Sequence, residues 1–283
     1  MHGAQRGRRL LNKPDSLSSA VERSSDVKYH ATAIIDSRAS IAANVEVGAY
    51  CVIGPDVEIG PDCWIGPHVV ITGRTRIGAR NRIFQHSSIG EIPQDKKYSG
   101  EATRLEIGDD NTIREYCTFN CGTVQDAGVT RVGNGNWVMA YVHVAHDCQV
   151  GSHAVLANGV QLAGHVHIGD YAILGGLTGV HQYCHVGGHS ITGAGTVVLK
   201  DIPPYVMVSG NPGKPYGLNV EGLKRRGFSA ATITKLKGAY KTLYRSGLTI
   251  QPAVKELERQ AKTCPEVQLM VDFLSAATRG VVR

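Results

Sequence analysis

Every sixth residue from Ile35 onward is aliphatic: Ile35, Ile41, Val47, Ile53, Ile59, Ile65, Ile71, Ile77, Ile83 and Ile89. The register resumes at Ile107, Ile113 and Phe119. After a second break it runs through Val132, Val138, Val144, Val150, Leu156, Leu162, Ile168, Leu174, Val180 and Val186. A period of six fits neither a helix of 3.6 residues per turn nor an alternating strand, but it fits a parallel β-helix in which each hexapeptide forms one flat wall. Three walls close a triangular coil of eighteen residues. The aliphatic residue points inward, small residues two places earlier (Cys51, Cys63, Ser87) fit beside it, and the glycine that often follows (Gly48, Gly54, Gly60, Gly66, Gly78) is expected to relieve the turn. Handedness does not follow from spacing.

Composition agrees with such a core. The 283 residues include 34 glycines and are 42% hydrophobic but only 6% aromatic, so the interior must be built from small aliphatic side chains and tight turns. Two interruptions, at about residues 90–106 and 121–131, are expected to leave the solenoid as loops, which often carry function. After Pro203-Pro204 the period vanishes and helical spacing takes over. Ser229 is placed to cap a helix with apolar positions Ile233, Leu236, Tyr240, Leu243 and Tyr244, ending near Gly247. A second helix is expected over about 251–263, and a third from Pro265 to before Gly280. The organisation read from the chain is therefore a leader over 1–28, polar and disordered, a hexapeptide β-helix over 29–202 and a helical domain over 203–283.

Seven scattered cysteines without a CxxC pair indicate neither a disulfide framework nor a zinc ribbon, and a reducing compartment fits best. No run of about 18 apolar residues exists to cross a membrane. The N-terminus lacks the apolar stretch of a secretory signal, and Asp15, Glu22 and Asp26 argue against an organelle-targeting peptide. Of the 30 Lys and Arg, fourteen fall from Lys200 onward, against six Asp and Glu there. A basic end of this kind can meet nucleic acid, a membrane surface or an acidic protein.

Eight of the 12 histidines lie between 143 and 189. Val144, Leu162 and Val180 are eighteen apart and so share one wall in successive coils, which gathers His143, His146, His165 and His181 on its outside. If the second interruption is a single excursion, Phe119 joins that wall and Asn120 the cluster. Three readings are open: histidines without a role, a metal site of stacked imidazoles, or a general base, for which His146 is suited with Asp147 beside it. In the last reading the N–H of Gly164 can stabilise an oxyanion. No serine elbow or cysteine motif marks a protein nucleophile, so the substrate supplies it.

Five segments give the chain a resemblance to a known family. They are Ser88-Ile-Gly-Glu-Ile-Pro-Gln-Asp-Lys-Lys-Tyr98, His143-Val-Ala-His-Asp-Cys148, Ala163-Gly-His165, Val180-His-Gln182 and Asn219-Val-Glu-Gly-Leu-Lys-Arg-Arg-Gly-Phe-Ser229. Together they resemble the acyl-[acyl carrier protein]–UDP-N-acetylglucosamine O-acyltransferases that begin lipid A synthesis. The resemblance implies a cytoplasmic homotrimer of left-handed parallel β-helices, mainly β, each with a C-terminal α-helical domain and with active sites between subunits. It implies transfer of an (R)-3-hydroxyacyl group from the phosphopantetheine of acyl carrier protein to the 3-hydroxyl of UDP-N-acetylglucosamine, with no cofactor and no metal. His146 becomes the base, Asp147 its support and Gly164 the oxyanion donor. Asp95 and Lys97, on the first interruption, position the acyl and sugar groups, Gln94, His143, His165, His181 and Gln182 line the cleft, and Asn219, Glu221, Arg225 and Arg226 take the nucleotide. The basic end then faces the acidic carrier protein, and neither nucleic acid nor stable membrane insertion is expected. Asn120-Cys121 departs from the His-Arg often found there, and Ala194 occupies a region the family uses to limit acyl-chain length.

Overall fold

A computed structural model describes residues 29–283; the expected leader over 1–28 lies outside the described residues. The hexapeptide period becomes three parallel sheets. Wall I has nine strands, from Ile34–Ile35 through Ser88–Glu91, Thr118–Asn120, His143–Val144, Gln161–Leu162 and Gly179–Val180 to Val197–Val198. Wall II has eight, from Ser40–Ile41 to His185–Val186, and wall III begins at Glu46–Val47. The chain visits the walls in the order I, II, III, so each strand pairs with the one a full coil away. Val144 is opposite Leu162, and Leu162 is opposite Val180.

The aliphatic series is the core. Ile53, Ile71, Ile89, Phe119, Val144, Leu162 and Val180 are buried one above another on wall I. Cys51 and Ser87, beside this column, and Cys63, beside Ile65 on wall III, spend their polar hydrogens on carbonyls of the next coil, at Gly66, Arg114 and Gly78. Full burial of each aliphatic side chain contributes roughly 1.5–3 kcal/mol. Repetition along the coil, more than any single contact, holds the prism together.

The expected role of glycine needs correction. The left-handed turn positions are taken mainly by Asn, Asp, His, Tyr and Arg, among them Asp62, His68, Arg80, Tyr116, Asp147, His165 and Tyr183. The repeat glycines are needed for a different reason. A Cβ at Gly60 would stand 2.7 Å from the backbone carbonyl carbon of Gly78, one coil away. Stacked backbones approach too closely there for any side chain. The turn residues point outward instead, and at the edge between walls III and I the rings of Tyr50, His68, His86, Tyr116 and Tyr141 stack at 5.1, 5.1, 4.9 and 5.0 Å, close to the spacing of parallel strands.

Strands take up the flanks of both interruptions. Ser88–Glu91 and Arg104–Ile107 leave a loop over 92–103, and Thr118–Asn120 and Val129–Val132 leave one over 121–128. The β-structure also continues past Pro203-Pro204. Val206–Ser209 pairs in parallel with Ile191–Thr192, and Lys214–Leu218 returns antiparallel against it. Backbone pairing there has outlasted the aliphatic period that announced it.

Four helices follow: α1 Val220–Arg225, α2 Ala230–Arg245, α3 Ile250–Ala261 and, after a 3-10 turn at Pro265–Val267, α4 Gln268–Ala276. Ser229 caps α2 by accepting from the Thr232 N–H, and Ile233, Leu236, Tyr240 and Leu243 are buried along one face, as their spacing predicts. The short α1 was not legible from periodicity, because six residues are too few to show one.

Candidate active site

His146 and Asp147 occupy the turn between the wall I strand His143–Val144 and the wall II strand Gln149–Val150; Gly164-His165 and Gln182-Tyr183 occupy the same turn in the next two coils. Asp147, His165 and Tyr183 all have φ between 60° and 63°. This conformation lets three side chains project in a column along one edge. His165 stacks on Tyr183 with centroids 4.3 Å apart and meets His146 edge-on at 5.1 Å.

The dyad is built around Asp147, whose side chain is 1% exposed. Its Oδ2 lies 2.9 Å from His146 Nδ1 and accepts from Thr123 Oγ1 at 2.6 Å, while Oδ1 accepts from the Thr123 N–H at 2.8 Å. The Asp147 N–H donates to Thr130 Oγ1. Burial alone would raise the carboxyl pKa, but the hydrogen bonds from His146 and Thr123 outweigh it and hold the group below the ordinary carboxylate value. An ionised Asp147 fixes the His146 proton on Nδ1. In the neutral ring that leaves the Nε2 lone pair free, and Nε2 forms no hydrogen bond among the described residues.

Gly164 makes room for that ring. A Cβ on it would fall 2.5 Å from His146 Cε1 and 2.7 Å from Nε2, so the imidazole lies directly over the glycine. The Gly164 carbonyl accepts from the Tyr183 N–H, whereas its own N–H makes no backbone bond among the described residues. A base and a free donor thus share one small surface.

His143 stands on wall I, with Nδ1 2.7 Å from Thr118 Oγ1. Burial, with the neighbouring His146, lowers its pKa against the bond to Thr118, so its ring is neutral near neutral pH. It joins two recesses. One, of about 240 Å³, is lined by Gln94, Tyr116, Thr118, Tyr141 and Gln161; the other, of about 380 Å³, runs past Ala163, Gly179 and His181 to Val197 and Leu199. Wall I therefore carries a surface that is polar at the Gln94 end and apolar at the Leu199 end. Asp95 and Lys97 lie on the same loop as Gln94, where Asp95 Oδ1 accepts from the Lys97 N–H. His181 and Gln182 are exposed, and the Arg279 guanidinium reaches His181 Nδ1 at 3.2 Å. A larger recess, about 730 Å³, lies elsewhere, between wall II and Leu269 and Phe273 of α4, and neither His146 nor Asp147 lines it.

The basic set does not join this surface within one chain. Arg226 lies at the edge between walls II and III, where its guanidinium covers Tyr171 and donates to the Tyr171 carbonyl. Asn219 spends both polar atoms on the fold: Oδ1 accepts from the Gly222 N–H at the start of α1, and Nδ2 donates to the His189 carbonyl. Glu221 pairs with Lys224, and Arg225 is exposed. Asn120 and Cys121 are also structural, anchoring the first loop through the carbonyls of Ile92 and Gly90. Cys148, beside the dyad, has its thiol pushed up to about 12 by burial and is no nucleophile.

Sequence reasoning missed Thr123, Thr130 and Asp126, the last of which lies 3.0 Å from His165 Nδ1. Thr123 and Asp126 lie within the second interruption, where the six-residue count gives no position, while Thr130 stands two places before Val132 on the strand Val129–Val132. Tyr183 was available from the period, eighteen residues after His165.

In comparisons with known proteins, residues 201–282 match the family described as "Udp N-acetylglucosamine O-acyltransferase; Domain 2", and residues 130–164 match "Bacterial transferase hexapeptide (six repeats)". The acyl-[acyl-carrier-protein]–UDP-N-acetylglucosamine O-acyltransferase of Thiobacillus denitrificans is 59% identical over 254 residues, which span 90% of this chain and 98% of that protein. The chain belongs to this family. The enzyme of the same name from a Janthinobacterium species is 54% identical over 90% of this chain and 98% of its own. The crystal structure of UDP-N-acetylglucosamine O-acyltransferase from Moraxella catarrhalis aligns with a TM-score of 0.90 at 49% identity, covering 91% of this chain and all of that one. The fold is the left-handed parallel β-helix with a C-terminal helical part, and the protein is an acyltransferase.

Proposed function

We propose that this acyltransferase moves an (R)-3-hydroxyacyl group from the thioester of acyl carrier protein to the 3-hydroxyl of UDP-N-acetylglucosamine, with His146 as general base. The observation that carries the reading is the 2.9 Å contact between His146 Nδ1 and an Asp147 carboxylate clamped by Thr123. It leaves Nε2 as the free basic atom. As the sugar oxygen attacks the thioester carbon, Nε2 takes its proton. The Gly164 N–H faces the oxyanion of the tetrahedral intermediate. Collapse breaks the carbon–sulfur bond, and the departing pantetheine thiolate takes the proton back from Nε2. The products are the sugar ester and the free carrier thiol. No resident cofactor or metal is required by this balance.

The polar end of wall I, with Gln94, Asp95, Lys97 and His143, suits the sugar, with His165, His181 and Gln182 along the other side. The apolar stretch toward Val197 and Leu199 suits the acyl chain. Asn219, Glu221, Arg225 and Arg226 belong to a different edge of the prism, which supports a homotrimer in which that edge of one subunit faces wall I of the next and offers its guanidiniums to the diphosphate. The excess of Lys and Arg after residue 199 favours encounter with an acidic carrier protein. Among the described residues no helix is long and apolar enough to cross a membrane, and a cytoplasmic enzyme of lipid A synthesis fits the set of substrates.

The test is a panel of 3-hydroxyacyl carrier proteins of different chain length assayed with UDP-N-acetylglucosamine, on the native chain and on His146→Ala. Turnover with at least one carrier, falling by about 10²–10⁴-fold or more in the variant, is expected. Absence of turnover with every carrier overturns the substrate assignment, and full activity in folded His146→Ala overturns the base.

A further inference from the structure

His146, Asp147 and His165 converge from two successive coils, and one ligand atom from each lies within 4.8 Å of the others. Their protons leave the convergence incomplete. His165 Nδ1 lies 3.0 Å from Asp126 Oδ2, so a neutral imidazole carries its hydrogen there and turns the Nε2 lone pair toward Asp147 Oδ2, 3.7 Å away. A ring nitrogen without a proton and a carboxylate oxygen repel each other until a proton or a metal cation comes between them. The same Oδ2 is 2.9 Å from His146 Nδ1. Tetrahedral zinc, with bonds of about 2.0–2.1 Å, holds adjacent ligand atoms roughly 3.3 Å apart, and the two separations bracket that figure.

The surroundings also suit a metal. A ligating histidine almost always donates its other N–H to a carboxylate or carbonyl, which fixes its tautomer and orientation. Asp126 does this for His165, and Thr123 holds the Asp147 carboxylate. The side chains of His146 and His165 are only 15% and 8% exposed, so little reorganisation is needed to bring the ligands together.

We propose that His146 Nδ1, Asp147 Oδ2 and His165 Nε2 form an inhibitory site for a zinc-class divalent cation. A neutral imidazole has one ring hydrogen. In the free site it lies on His146 Nδ1 and leaves Nε2 basic. A metal at Nδ1 takes that lone pair, and the hydrogen moves to Nε2, which can then no longer accept the proton of an incoming hydroxyl. His165 contributes a lone pair it already has, so with both rings neutral no proton is released. The cation blocks the base by fixing the wrong tautomer, without needing to occupy the substrate surface.

The inhibitory part rests on the function proposed above; the binding part does not. The full chain is titrated with zinc chloride alone by calorimetry, and the acyl-transfer rate is followed with and without zinc and after EDTA. His165→Gln and Asp126→Ala are compared with His185→Gln, which removes a member of the separate His167–His185 stack on wall II. One zinc per chain is expected, bound at least about 10-fold more weakly in His165→Gln and Asp126→Ala and unchanged in His185→Gln. Inhibition should follow the same order and be reversed by EDTA. Zinc affinity indifferent to His165→Gln, or lost in His185→Gln, overturns the site; stoichiometric zinc without slower turnover overturns the inhibition. A chain with no transferase activity at all would instead defeat the proposed function, with the calorimetry still deciding the site.

Discussion

Thr123 grips Asp147 at both carboxylate oxygens, through its N–H to Oδ1 at 2.8 Å and through its hydroxyl to Oδ2 at 2.6 Å. Thr123→Val keeps the shape and the backbone bond and removes only the hydroxyl. Leaving a buried carboxylate oxygen short of a donor costs about 1–3 kcal/mol. The pH dependence follows from the direction of the Asp147 shift. Its folded pKa lies below the ordinary 3.8, so the native state binds this proton later than the unfolded state. The resulting stability is present above the ordinary pKa and is lost as pH falls through the folded value. The variant depresses the pKa less, so acid unfolding should begin at higher pH. Urea midpoints measured from about pH 6 downward check this, and parallel curves for the two proteins would contradict it.

Gly164→Ala separates positioning from folding. The added methyl would meet His146 Cε1 and Nε2 at 2.5 and 2.7 Å. Both atoms belong to the far end of a side chain that can swing, and Gly164 has no left-handed φ to strain an alanine. The fold should accept the change, with a melting temperature within a few degrees of the native one. The base should not: an imidazole displaced by about 1 Å costs roughly 10²-fold in rate. A steady-state assay beside a thermal melt reads both quantities, and unchanged turnover would remove Gly164 from the description of the site.

The aliphatic period was enough to place His143, His146 and His165 together, because a strict count of eighteen per coil is also a map of neighbours along the edges. Treating the second interruption as one excursion puts Phe119 on the same wall, and in the structure its neighbour Thr118 is the residue that meets His143. Thr123 and Asp126 were beyond the count. Their contacts depend on how the loop over 121–128 folds back across the turn at Asp147, and loop geometry has no period, whereas Thr130 stands on the strand Val129–Val132 where pairing has already resumed. The function of the repeat glycines was also hidden, since a close approach between coils and a left-handed turn leave the same letter in the sequence. Arg226 was legible as a binding type but not as a place, because its position depends on a short helix and on Tyr171.

Gly60→Ala tests the close-approach account. Its Cβ would stand 2.7 Å from backbone atoms of Gly78, and neither chain segment has a flexible end to move. Overpacking of this kind costs about 1–3 kcal/mol. The change lies several coils before the dyad, so the variant should melt earlier yet turn over normally at low temperature. Equal melting temperatures would mean that the coils can separate more easily than their spacing implies.

His189 supplies a test at the opposite edge of the prism. It stacks between Tyr171 and Tyr205, at 5.0 and 5.6 Å, with Phe228 edge-on at 5.2 Å. Its buried Nδ1 has no hydrogen-bond partner among the described residues. Burial, aided by the charge of Arg226, lowers its pKa from 6.5 to about 4. Between those two values the unfolded chain takes up a proton that the folded chain refuses, so stability falls as pH falls across that window. The contribution reaches up to about 3 kcal/mol. His189→Asn keeps a residue that tolerates the φ of 59° found there and removes the titration. Whatever the lost stacking costs at every pH, the variant should show a flatter stability profile between about pH 6.5 and 4 than the native chain, with His143 and His167, whose pKa values are also lowered by burial, supplying the slope that remains. Urea midpoints at several pH values give the comparison, and equal slopes would show that His189 takes its proton in the folded protein after all.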